Sequence, residues 1–437
     1  MLERKKLAIG SILLASCLLT GTGNSNAGDA TSASGAAAPA DWAQWRGPNR
    51  NGLSSETGLL KSWPKGGPAL AWRVTGLGGG YTTPSIAGGK IFGMSYRGSD
   101  EVVWALDVAT GKELWSTKIA AATPVDYGQG SRATPTVDGN VLYTLGVGGD
   151  LVCLETATGK ELWHRHLQKD FSGRRPGWGY TESPLVDGDK VVCTPGSGKG
   201  TIVALDKRTG EAIWQSKDYK DGAAYASLMV ATIGGVRQYV QMTGSSVAGV
   251  AADDGRLLWR YERQGPTAAV PTPIVSGNFV YATSGYGAGC HMVEIKSTGG
   301  QQQADEVYAS KTMVNHHGGV VLVGDHLYGF SDGKGWVCQN FKTGEMVWNE
   351  RSKLGKGSVT YADGHLVARS EGGTVALLEA APTGFVEKGR FEQPDRSQYN
   401  AWPHPVIAGG RLYIRDQDVL LCYDVKDGFT GANSGGK

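Results

Sequence analysis

The chain has 437 residues, 40% of them hydrophobic, and a formal net charge of +2. That length supports a large buried core, and the near-neutral charge excludes a nucleic-acid binder, which needs a basic surface to neutralise phosphates. Its 67 glycines, about twice the usual share and without a collagen period, suit many short strands joined by tight turns.

The N-terminus reads as an export signal. Arg4, Lys5 and Lys6 precede an apolar run from Leu7 to Leu19, too short to cross a bilayer. Two processing readings stand side by side. Leu14-Ala15-Ser16-Cys17 resembles a lipobox, in which Cys17 is lipidated. Ser25-Asn26-Ala27 resembles an ordinary small-x-small cleavage site. Residues 21–40 are mostly Gly, Ala, Ser and Thr and bury too little surface to fold. If Cys17 carries lipid, the chain up to residue 40 is a tether with a reach of roughly 25–30 Å.

From Val103 onward one segment recurs. Val103-Trp-Ala-Leu-Asp-Val-Ala-Thr-Gly-Lys-Glu-Leu-Trp115 returns at 152–163, 203–214, 250–259 and 337–348. Weaker copies centre on Gly299, Gly384 and Gly428. The turn glycines are then 111, 159, 210, 255, 299, 344, 384 and 428, spaced about 45 residues apart. Eight such units match the period of a four-stranded propeller blade, so the fold class is an all-β, eight-bladed β-propeller. Trp115, Trp163, Trp214, Trp259 and Trp348 each follow the turn glycine by four residues, with Tyr308 and Phe391 as stand-ins. A large ring in this slot is expected to pack one blade on the next. The eighth unit stops without an outer strand, and an orphan Leu70-Ala71-Trp72-Arg73-Val74 precedes the first. Residues 69–75 are therefore predicted to close the last blade, leaving no open edge.

The expected organisation is a signal over 1–27 (or one ending before Cys17), a linker over 28–40 and a lead-in over 41–68. The propeller follows over 69–428, with a disordered tail over 429–437. Cys153, Cys338 and Cys422 fill a slot held by alanine in other blades and read as small core residues, as does Cys193. No cysteine spacing argues for a disulfide or a zinc site. Pro195-Gly-Ser-Gly-Lys-Gly-Thr201 fails the phosphate-loop spacing and reads as a hairpin turn.

The A-x-D-x-x-T-G-K-x-x-W pattern resembles the repeat of pyrroloquinoline-quinone (PQQ) dehydrogenases and of BamB, the outer-membrane assembly lipoproteins. The opening Asp41-Trp-Ala-Gln-Trp-Arg-Gly-Pro-Asn-Arg-Asn-Gly52 is similar to the lead-in of bacterial PQQ-like propellers. The resemblance implies the fold. The alcohol-oxidising quinoproteins resemble one another in a vicinal Cys-Cys pair, a catalytic Asp and acidic Ca²⁺ ligands. This chain has no Cys-Cys pair, and the other positions find no counterpart here.

Ligands of propellers usually sit at one end of the channel, near the starts of the innermost strands. Around those starts lie Arg132, Tyr180, Glu182, Tyr225, Asn315, His316, His317, Trp402 and His404. Together they could bind an anion, a sugar or a quinone. Glu182, His316 and His404 are the catalytic candidates, a carboxylate and an imidazole being able to act as an acid/base pair. His316 and His317 are expected on a strand, with rings on opposite faces. Two main functions and a third follow. One is a non-catalytic, BamB-like binding or scaffold module, exported to the periplasm or anchored to the outer membrane through Cys17, with an envelope protein or component as partner and no cofactor. The other is a periplasmic PQQ-dependent alcohol or sugar dehydrogenase using PQQ with Ca²⁺. A hydrolase or lyase using the same funnel is a third. A monomer is expected in each case.

Overall fold

The protein is described here by a computed structural model over residues 41–127 and 129–428. The expected signal, linker and tail, and Cys17 with them, lie outside the described residues. Eight four-stranded antiparallel sheets follow one another along the chain, forming an eight-bladed propeller. The first blade is Ser85–Ala87, Lys90–Arg97, Asp100–Asp107 and Glu113–Ala121, from the channel outward. The seventh carries an extra innermost strand, Leu53–Ser54, parallel to Gly357–Ala362. One helical turn, Leu167–Phe171, follows the second blade.

The closing strand forms as the sequence predicts. Ala69–Val74 pairs antiparallel with Val419–Asp424 and is the outer strand of the eighth blade. The two ends of the repeat region are thereby joined in one sheet.

The aromatic slot sets the spacing between blades. The turn glycines adopt positive φ, for example 71° at Gly159 and 70° at Gly210, a conformation that strains other residues. Trp115 of the first blade lies flat against Gly159 of the second, and Trp163 against Gly210 of the third. A Cβ on either glycine would enter the indole ring. Each indole N–H donates to a carbonyl of the same turn: Trp115 to Thr156 at 3.1 Å and Trp163 to Lys207 at 2.9 Å. Tyr308 does the same, packing on Gly344 and donating to the Phe341 carbonyl at 2.8 Å. Phe391 differs, packing on Gly67 and Trp63 of the lead-in.

The described cysteines, Cys153, Cys193, Cys290, Cys338 and Cys422, are buried and free. The 195–201 segment is a tight turn with a Ser197–Gly200 bridge between two strands of the third blade.

The lead-in is the hub of the ring. Trp42 exchanges backbone hydrogen bonds with Ile86, and Ala43 accepts from Val137 at 2.8 Å. Trp45 Nε1 donates to Thr272 Oγ1 at 2.8 Å, and Arg46 Nη2 to the Val320 carbonyl at 2.6 Å. Arg50 donates to the carbonyls of Ser183, Pro184 and Leu228. Ser54 Oγ donates to the Ile407 carbonyl at 3.1 Å. With the Leu53–Ser54 pairing, residues 42–54 touch the inner strand, or the segment leading into it, of every blade. They plug the channel from within.

Candidate functional site

Above the plug lies a cavity of about 240 Å³. Its lining comes mostly from the segments entering the inner strands, the end of the ring the sequence points to. Trp45 of the plug contributes, with its ring centroid 4.8 Å from His404. The walls carry Tyr81, Tyr127, Arg132, Trp178, Tyr225, His316, His317, Glu371 and Trp402.

Of the sequence candidates, Arg132, Tyr225, His316, His317, Trp402 and His404 line this cavity. Tyr180, Glu182 and Asn315 stand behind the wall. Tyr180 is buried and donates to the Pro195 carbonyl at 3.0 Å. Asn315 donates to the carbonyls of Gly319 and Phe330. Glu182 Oε2 accepts from the Thr194 N–H at 2.9 Å inside the third blade. No acid/base pair of Glu182 with a cavity histidine is assembled. The expectation for His316 and His317 also needs correcting. They sit in a bend before the strand that begins at Val320, so strand alternation does not apply. Both rings face the cavity, 5.5 Å apart.

Trp45, Tyr127, Tyr286 and Glu371 were not singled out from the sequence. Glu371 lies in a hairpin of the seventh blade, and Tyr286 in one of the fifth. For Tyr127 and Tyr286 the available signal was an aromatic beside glycine in a segment between strands; Trp45 and Glu371 carried no such signal.

Rings dominate the electrostatics. Tyr81 and Trp402 lie 4.5 Å apart and Trp178 and Tyr225 stack at 5.0 Å, while Tyr127 meets Trp178 and Trp402 edge-on. Arg132 lies over Tyr81 and donates to the carbonyls of Asp126 and Tyr127, and burial lowers its pKa. Glu371 Oε1 accepts the Trp402 indole N–H at 2.7 Å and lies 3.6 Å from His317 Nε2. Burial, with the nearby His316 and Lys356, holds the His317 pKa well below the usual value. Burial and the Lys356 ammonium, which donates to its Nδ1 at 2.6 Å, push His316 down to about 4. Burial and Arg46 push His404 to about 3. All three imidazoles are neutral at pH 7. Glu371 with His317 is the nearest approach to an acid/base pair, and His317 so held is a weak base.

A family model described as outer membrane protein assembly factor BamB matches residues 53–128 and 99–350, more than half of the chain. The chain belongs to this family. Outer membrane protein assembly factor BamB of Kangiella koreensis is 31% identical over 195 residues, spanning 42% of this chain and 43% of that protein. A quinohemoprotein alcohol dehydrogenase of Comamonas testosteroni is 29% identical over 161 residues, 34% of this chain and 21% of that one. These alignments therefore span less than half the length of either relative. The crystal structure of BamB from Moraxella catarrhalis superposes with a TM-score of 0.58 at 15% identity, covering 82% of this chain and 99% of that one, a likeness of fold.

The cofactor of the related dehydrogenases can be tested against this member of the BamB family. Calcium takes roughly six to eight oxygen ligands, several of them carboxylates. The cavity offers one carboxylate, Glu371, already engaged by Trp402. Among the described residues no three His, Cys, Asp or Glu side chains converge to hold a metal. PQQ is itself a tricarboxylate, and Arg132 is the one cation on the wall, already turned to two carbonyls. The residues present do not fit PQQ with Ca²⁺.

Two buried carboxyls give the fold a pH dependence. Burial raises Glu182 to about 8 and Glu101 to about 7, above roughly 4.3 in an unfolded chain. The unfolded state then loses its protons first as pH rises, so these groups favour folding at low pH. Their contribution is lost between about pH 4.5 and 8. The depressed His316 and His404 act oppositely, favouring folding above about pH 6.5 and losing that as pH falls toward 4. Maximum stability is expected near pH 5.5–6.5. Urea midpoints should fall from pH 6 to 9, and Glu182→Gln should flatten that limb. An equally steep limb in that variant would refute the assignment.

Proposed function

We propose that this chain is an exported, non-catalytic binding propeller of the bacterial cell envelope. One observation carries the reading. The channel is filled by the chain's own residues 42–54, and the cavity left above it is a blind, ring-lined recess without a metal-ligand set or a poised base. Such a recess holds a ligand by shape, stacking and a few hydrogen bonds. The family and the named BamB relatives support an outer-membrane setting. The apolar run behind Arg4, Lys5 and Lys6 supports export, and Leu14-Ala15-Ser16-Cys17 supports lipid attachment at Cys17.

Photo-crosslinking of the lipidated protein in intact envelopes, followed by mass spectrometry, tests the reading. Reproducible capture of a discrete envelope protein or component is expected. Recovery of nothing beyond what an unrelated lipoprotein recovers would overturn it. The similarity to a quinohemoprotein alcohol dehydrogenase favours one other reading, a periplasmic PQQ-dependent oxidation of alcohols or sugars. Dye-linked oxidation with PQQ and Ca²⁺ supplied is expected to stay at background over a broad alcohol and sugar panel. Turnover there would establish that second reading.

A further inference from the structure

The cavity combines an aromatic wall with a polar edge and almost no net charge, and this combination selects a ligand class. Tyr81 with Trp402, and Trp178 with Tyr225, are pairs already closed on each other at 4.5 and 5.0 Å between centroids. A flat aromatic ligand sandwiched between two rings needs about 7 Å, two van der Waals contacts of roughly 3.5 Å. Neither pair leaves such a slot. What each offers is one outward face, a platform for a ligand that stacks on one side only.

A polar edge borders that wall, where Glu371 accepts the Trp402 indole N–H. Glu371 uses Oε1 for the Trp402 indole, and its Oε2 has no partner among the described residues. Asn400 lines the same recess and is exposed. Neither nitrogen of His317, itself nine-tenths buried, has a hydrogen-bond partner. Unpaired buried polar atoms cost free energy unless a ligand or water satisfies them. Neutral imidazole both donates and accepts, and carboxylate and amide oxygens accept, which is the complement of hydroxyl groups.

Charge excludes the competitors. A cation would meet Arg132 over Tyr81, and a polyanion would meet Glu371 with only that one guanidinium to balance it. A volume of about 240 Å³ lies just below the usual range of ligand pockets, roughly 300–1,000 Å³, and suits a ligand of one ring.

We propose that the cavity binds a neutral saccharide, one pyranose ring stacking on the Trp402 face with its hydroxyl edge toward Glu371 and Asn400. The inference rests on the binding reading above and names its ligand class: the terminal sugar of a neutral envelope or extracellular glycan.

Titration of the purified mature protein with neutral oligosaccharides (gluco-, manno- and chito-oligomers), followed by tryptophan fluorescence and calorimetry, tests it. Polygalacturonate and PQQ serve as acidic controls. Saturable binding of at least one neutral series is expected, weakened at least tenfold by Trp402→Ala and about tenfold by Glu371→Gln. Glu371→Gln preserves the side-chain shape and controls for misfolding, with circular dichroism on both variants. No neutral sugar binding by folded protein overturns the saccharide assignment, and so does binding that the two folded variants retain unchanged. Envelope capture that survives that result leaves the binding reading standing. Binding followed by chemical change of the sugar, seen by chromatography of the recovered ligand, supports the assignment and overturns the non-catalytic reading instead.

Discussion

Removal of residues 69–74 is expected to lower and broaden the cooperative unfolding transition of the ring. This strand does two jobs at once. It completes the backbone ladder of the eighth blade, with Leu70 opposite Tyr423 and Val74 opposite Leu420. Its Trp72 also packs on Gly111 of the first blade and lies 6.0 Å from Tyr413. Without it, one blade has three strands and the joint between last and first blades loses its ring. The exposed edge of Val419–Asp424 then becomes a template for pairing with another chain. A cost on the order of 5 kcal/mol is expected, with a fall of roughly 6 °C in the thermal midpoint. Trp72→Pro should act in the same direction without shortening the chain, since proline removes a ladder donor and the indole together. Scanning calorimetry with circular dichroism reads both variants. A transition unchanged in midpoint and sharpness would refute the clasp.

The second large effect is at the hub. Arg50→Ala is expected to destabilise the fold by about 4 kcal/mol. Arg50 is 2% exposed and its guanidinium donates to three backbone carbonyls on the segments entering the third and fourth blades. It also donates to Gln44 Oε1 at 3.1 Å, which shapes the plug itself. Truncation leaves those acceptors buried and unpaired, the costly side of the hydrogen-bond balance. Burial lowers the Arg50 pKa to about 10, so it stays charged at neutral pH, and its charge restrains the upward shift of Glu182. The same variant should therefore raise the Glu182 pKa further. Urea unfolding of Arg50→Ala and Arg50→Lys is the measurement, the lysine variant expected to fall between wild type and alanine. A loss below about 1 kcal/mol in Arg50→Ala would show that the plug is not a structural hub.

The repeat made the ring readable because its physics is local. A turn that needs positive φ selects glycine at one position, and an inter-blade ring must follow at a fixed number of residues. Gly111 with Trp115 and Gly159 with Trp163 carry that spacing, and each ring lands on the turn glycine of the next unit. The missing outer strand of the eighth unit and the orphan Leu-Ala-Trp before the first follow from the same count, and they pair as the count requires. Even the tyrosine at 308 is legible, since a phenol can fill the slot and reach the neighbouring carbonyl.

The site was legible only in outline. Strand starts could be located, and six of the residues chosen there do line the cavity. Which side chains turn inward was not readable, because it depends on bends and on neighbouring blades. Glu182 turns into its own blade toward Thr194, whereas His316 and His317 escape strand alternation through a bend. The plug was not readable either. Residues 42–54 have no periodic pattern, and their partners lie far along the chain: Arg50 bonds Leu228, and Ser54 bonds Ile407. The sequence by itself determined the number of blades and their turns, because each is enforced by contacts within a unit or at one repeat's distance, and their closure, because the count leaves one outer strand missing and one orphan strand to fill it. Only the tertiary structure decided that the lead-in fills the channel and that Glu371, Trp402 and the histidines meet above it, because those contacts exist only once the ring has closed.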